Sequence, residues 1–213
     1  MSAAPAVAPH RPRVAAWMLT AARAALALVL GLAITFTGGH SARFGLVAFG
    51  VFGVVAGLLL LAGALLVLRR AVRGTFLVQA AVTLVAGISG LVALSSAAGG
   101  GDVIALVGIV SAFGILTGAL ELVAGLRARR VDRGARDWVL TGALTLALGL
   151  AFLVVPPGYR ESLGGIERIT GTLTASVVLV GLLGAWGIVV GVLQGISAVS
   201  LRTPVEPEEE DRT

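Results

Sequence analysis

Apolar residues fill six long stretches of the chain, at about 15–37, 44–68, 75–96, 103–126, 137–156 and 174–199. Each is long enough to cross a hydrocarbon core, which takes roughly 20 residues at 1.5 Å apiece. In hydrocarbon every backbone N–H and C=O must be satisfied within its own segment, so the pattern predicts six transmembrane helices. Polar and charged residues collect in the connections and at the two ends. Residues 1–14 and, within the acidic tail 200–213, the part from Pro204 to Thr213 with Glu206, Glu208, Glu209, Glu210 and Asp211 are expected to be disordered, solvated flanks. The first stretch follows arginines like a signal peptide. Its apolar part is too long for a signal core and lacks a clean small-x-small cleavage site, so a retained span is expected.

Within the even spans one pattern recurs: Phe52-Gly53-x-x-x-Gly57, Phe113-Gly114-x-x-x-Gly118 and Trp186-Gly187-x-x-x-Gly191, separated by 61 and 73 positions. The odd spans share a fainter one, in Ala24 and Gly31, Ala80 and Gly87, and Gly142 and Gly149. A repeat of this size marks an array of similar units, each covering its neighbour's apolar face. The predicted fold is therefore an all-α integral membrane protein whose six helices form three parallel two-helix hairpin repeats, 1–2, 3–4 and 5–6. Glycines one turn apart let backbones approach closely, so Gly53, Gly57, Gly114, Gly118, Gly187 and Gly191 are expected to pack helices together. Pro156-Pro157 should close the fifth span. In the long connection after it, Arg160, Glu161, Glu167 and Arg168 suggest a short surface helix.

Composition agrees with the membrane class. Of 213 residues 57% are hydrophobic and 13% charged, about half the charged fraction of a soluble domain, and the mean hydropathy is +1.01. The chain has no cysteine, and His10 and His40 fall outside the apolar runs. Disulfides and thiolate metal sites are thereby excluded, and neither a metal nor another cofactor is expected. The net charge of +5 comes from sixteen arginines that form no single patch, which argues against nucleic acid. Thirteen of them flank one side: Arg11, Arg13, Arg23, Arg69, Arg70, Arg73, Arg127, Arg129, Arg130, Arg133, Arg136, Arg202 and Arg212. Only Arg43, Arg160 and Arg168 fall on the other. The positive-inside rule then places both termini in the cytoplasm, with Trp17, Trp138 and Tyr159 as interfacial aromatics.

Glu121 is the one carboxylate placed deep within a span. A charge at that depth costs at least a few kcal/mol and calls for a partner. Repeat alignment puts Gln194 and Leu60 at the same place, and sets Arg23, Gln79 and Thr141 at nearly the same depth on the odd spans. A polar layer of Arg23, Gln79, Glu121, Thr141 and Gln194 is predicted, with a Glu121–Arg23 ion pair assisted by the two glutamines. The plainer alternative has Arg23 reaching the headgroups and a protonated Glu121 bonded to a carbonyl. Either way the layer is a structural clamp or a site that titrates.

The run Asp137-Trp138-Val139-Leu140-Thr141-Gly142 with Gly149 and Pro156 resembles the HdeD-like family of small bacterial inner-membrane proteins. So does Gly114-Ile115-Leu116-Thr117-Gly118 leading into Arg127-Ala128-Arg129-Arg130. The resemblance implies acid resistance or envelope stress, location in the inner (plasma) membrane, and no catalytic residues to carry over. The expected function is non-enzymatic, exerted through membrane packing or partner proteins, with the lipid bilayer as the first partner and a homo-oligomer or membrane protein partner left open. A small proton-linked transporter or channel using Glu121 is the alternative. Against a membrane enzyme, the sequence offers no His/Asp metal cluster, no nucleophile–base pair and no phosphate-binding loop.

Overall fold

The computed structural model describes residues 11–67, 70–96, 101–130, 135–162 and 172–202. They form six α-helices: α1 (Arg11–Phe36), α2 (Ala42–Leu66), α3 (Arg70–Ser96), α4 (Gly101–Ala128), α5 (Ala135–Val154) and α6 (Ala175–Arg202). All six contain a stretch long and apolar enough to cross a membrane. Helix α1 starts before the predicted residue 15 and α6 runs past 199; the acidic residues of the tail lie outside the described residues. Arg202 sits 5.5 Å over the Trp17 ring, so α1 begins and α6 ends at the same end of the bundle.

Helix ends are tied by a few side chains. The Ser41 hydroxyl accepts from Phe44 N–H and caps α2, satisfying one of the donors a helix start leaves free. At the other end of α2, the Arg73 guanidinium of α3 donates to Ala64 O at 2.7 Å and also to Leu65 O, covering carbonyls that the helix cannot pair. Helix α5 stops at Val154, just ahead of Pro156-Pro157. In the segment after it, Arg160 and Glu161 lie in a strand and not in the expected surface helix. Arg160–Ser162 (β1) pairs antiparallel with Thr172–Thr174 (β2), Glu161 opposite Leu173. This hairpin satisfies its backbone across strands, and Glu167 and Arg168 lie outside the described residues. Tyr159 OH donates to Glu161 at 2.6 Å, and this bond, more than the carboxylate's charge, raises the phenol pKa.

The helices form a closed ring in chain order, α6 returning onto α1, and the even helices also touch one another across the axis. The most extensive contacts are α2–α3, α4–α5 and α6–α1. The closest packing thus runs between the expected hairpins rather than within them. Glycine explains this. A Cβ on Gly53 would lie 2.7 Å from Gly87 Cα, one on Gly114 2.6 Å from Gly149 Cα, and one on Gly187 3.2 Å from Gly31 Cα. One turn on, Gly57, Gly118 and Gly191 face Leu84, Leu146 and Leu28. Each even helix presents its bare backbone to the odd helix of the next repeat, at a separation no side chain would permit. The within-hairpin contacts leave apolar grooves, about 650 Å³ between α3 and α4 and about 270 Å³ between α5 and α6.

Candidate functional site: a polar cavity on the bundle axis

A cavity of about 50 Å³ is lined by all six helices. Its walls repeat the sequence register. The odd helices contribute Arg23, Gln79 and Thr141, then, one turn deeper, Ala27, Thr83 and Thr145. The even helices contribute Leu60, Glu121 and Gln194, then Ala56, Thr117 and Val190, then Phe52, Phe113 and Trp186. The cavity is polar towards the end carrying both termini and aromatic towards the other.

Arg23 Nη2 donates to Glu121 Oε1 at 2.9 Å, with the arginine side chain 17% exposed and the carboxylate side chain 3%. Gln79 Nε2 approaches Glu121 Oε2 at 3.4 Å, a long bond that adds little. The predicted layer therefore converges on one cavity, but its members do not contribute alike. Gln79 touches the pair. Gln194 lines the wall and its Oε1 has no partner, and the Gln79 Oε1 is likewise unpaired. Thr141 lines the same end. Three of the lining hydroxyls turn back on their own helices: Thr83 donates to Gln79 O, Thr117 to Phe113 O and Thr145 to Thr141 O, the local solution for a hydroxyl in an apolar span.

The aromatic floor was not assigned to the site by sequence reasoning. Phe52 and Phe113 meet Trp186 edge to face, at 5.6 and 6.1 Å between ring centres, and Trp186 Nε1 donates to Thr145 Oγ1 at 3.3 Å. The signal was available, since an aromatic residue opens all three copies of the repeat and threonine recurs at 83 and 145. Beyond the rings the axis is filled by Leu46, Phe49, Leu106, Val110, Leu179 and Leu183, all fully buried. Among the described residues no three His, Cys, Asp or Glu side chains stand close enough to hold a metal ion. The arrangement holds one neutral ion pair in an apolar setting, with hydrogen-bonding capacity to spare.

Residues 90–154 match a family described as a short repeat of unknown function (DUF308). The match takes in α4 and α5, the pair with the most extensive contact, and Glu121 and Thr141 with them. No curated protein matches the chain, and no solved structure does. The chain is thus a multi-pass membrane protein of six apolar helices, similar over residues 90–154 to this short repeat of unknown function.

Proposed function

We propose that this is a non-enzymatic inner-membrane protein of the acid-resistance or envelope-stress kind, acting through membrane packing or partner proteins. Its three repeats stand as parallel units about the bundle axis, and its arginine-rich connections hold both termini in the cytoplasm. The polar layer is the element on which acid acts. The observation that carries this reading is the Arg23–Glu121 pair, an ion pair that spans the axis between α1 and α4 in the apolar part of the bundle. A pair so placed ties helices from opposite sides of the ring, and neutralising the carboxylate releases that tie. The acid-resistance part rests on the HdeD-like resemblance. A transporter using Glu121 is the second reading, favoured by the unpaired amide oxygens around it; the apolar packing beyond the rings supports the packing role instead.

The test is survival after an acid challenge in a deletion strain carrying wild type or Glu121→Gln at matched expression. Rescue by wild type and failure of the variant is the expected result. Equal rescue by both would remove Glu121 from the mechanism, and no rescue by either would end the acid-resistance reading. Proton flux into vesicles carrying the purified protein separates the transporter.

A further inference from the structure

The two ends of the axial cavity differ in what they can bind. Gln79 and Gln194 are 4% and 6% exposed, and each holds an amide oxygen without a partner. Buried oxygens of this kind are nearly always paired, by protein or by ordered water. The nearby hydroxyls of Thr83, Thr117 and Thr145 spend their hydrogens on main-chain carbonyls, and the Arg23 guanidinium turns its Nη2 to Glu121. The space of about 50 Å³ accommodates a few waters, each needing roughly 10–15 Å³ on this measure. Charge selects among ligands of that size. The ion pair is neutral, so a cation would leave an uncompensated buried charge, whereas water donates to both amide oxygens and to the carboxylate without that cost.

We infer that the axial cavity is a water site open only towards the end of the bundle bearing both termini, and that Glu121 exchanges protons with that side alone. The partly exposed Arg23 forms the mouth. The rings of Phe52, Phe113 and Trp186 form the floor, and the packed apolar side chains behind them close the axis. A proton arriving as hydronium passes to Glu121 Oε2, the oxygen not held by Arg23, and leaves a water behind. The groups lining the cavity beside Glu121 are Arg23 of α1, Leu60 of α2, Gln79 of α3, Thr141 of α5 and Gln194 of α6. Only Arg23 among them carries a charge. This rests on the proposed role of Glu121 and adds a direction to it: the protein responds to the pH of the compartment that holds its termini, and conducts no protons across.

The chain has no cysteine, so one introduced thiol is a unique reporter. Thr117→Cys places it in the cavity, and Val110→Cys places it on the same helix beyond the rings. The full-length variants are reconstituted in vesicles of determined orientation and exposed on one side at a time to silver ion, which replaces the thiol proton and so leaves no added charge in the cavity. The remaining thiol is counted with maleimide after denaturation. Thr117→Cys is expected to react at least tenfold faster from the side of the termini, with Val110→Cys unreactive from that side. Equal reaction of Thr117→Cys from both sides overturns the one-sided seal; no reaction from either overturns the water site. Should Thr117→Cys not fold, Thr83→Cys, on the facing wall of α3, reports the same space. Silver reactivity is independent of acid survival, so failure of the water site and failure of the acid-resistance reading are read separately.

Discussion

Replacing Arg23 by methionine keeps the unbranched stem and removes only the charged head. Glu121 is then left without its cation, its side chain 3% exposed and its remaining contact the 3.4 Å approach of Gln79. Removing one partner of a buried pair costs about 3–5 kcal/mol, because the surviving charge is stranded. The 17% exposure of the Arg23 side chain lets water reach that end of the site and places this case at the low end, about 3 kcal/mol. That is about a hundredfold change in the folded-to-unfolded ratio. Arg23→Met/Glu121→Gln removes both charges and leaves an amide where α6 already carries Gln194. It should unfold within about 1 kcal/mol of wild type, which gives a coupling of at least about 2 kcal/mol in the double-mutant cycle, the cost of Glu121→Gln alone adding to it. The assay is equilibrium unfolding in mild detergent titrated with a denaturing detergent, followed by circular dichroism. An Arg23→Met protein as stable as wild type would refute the reasoning, as would a double variant no more stable than the single.

Two further outcomes follow from the geometry. On α4, Gly114→Val drives a side chain into the backbone of α5, since its Cβ would lie 2.6 Å from Gly149 Cα; a loss of at least about 1–3 kcal/mol is expected. Gly108→Ala on the same helix meets nothing within 4 Å and should leave the unfolding curve in place, and equal behaviour of the two variants would remove the close approach as the cause. Tyr159 is the chain's one tyrosine, so an ultraviolet titration reads it alone. Its midpoint should lie above the usual phenol value of about 10 and fall in Glu161→Gln, because the bond to Glu161 favours the neutral form. The linked stabilisation is full below the ordinary phenol value and is lost as pH rises through the raised one; a midpoint unmoved by Glu161→Gln would show the bond absent in solution.

Six helices and their approximate limits were legible because an apolar run near 20 residues has one outcome in hydrocarbon. The depth of Arg23, Gln79, Glu121, Thr141 and Gln194 was legible too, because a repeat assigns each residue its counterparts at a common level. The connection after α5 departs from the expected helix at Arg160 and Glu161. Its charged residues suggested a helix, but cross-strand pairing between Arg160–Ser162 and Thr172–Thr174 depends on a partner segment ten residues away, which local composition does not name.

The sequence by itself determined the membrane class, the six spans and the register of the repeats, since these depend on run length and on counting residues. Only the tertiary structure decided which helices press together, because Gly53, Gly114 and Gly187 carry no side chain to show which neighbour they face. It brought α6 back to α1 and set Gly187 against Gly31. It also turned five equivalent positions on each repeat towards one axis, where Arg23 and Glu121, 98 residues apart in the chain, stand 2.9 Å from each other. Depth is a property of one helix, whereas the direction a side chain faces is settled by the packing of six.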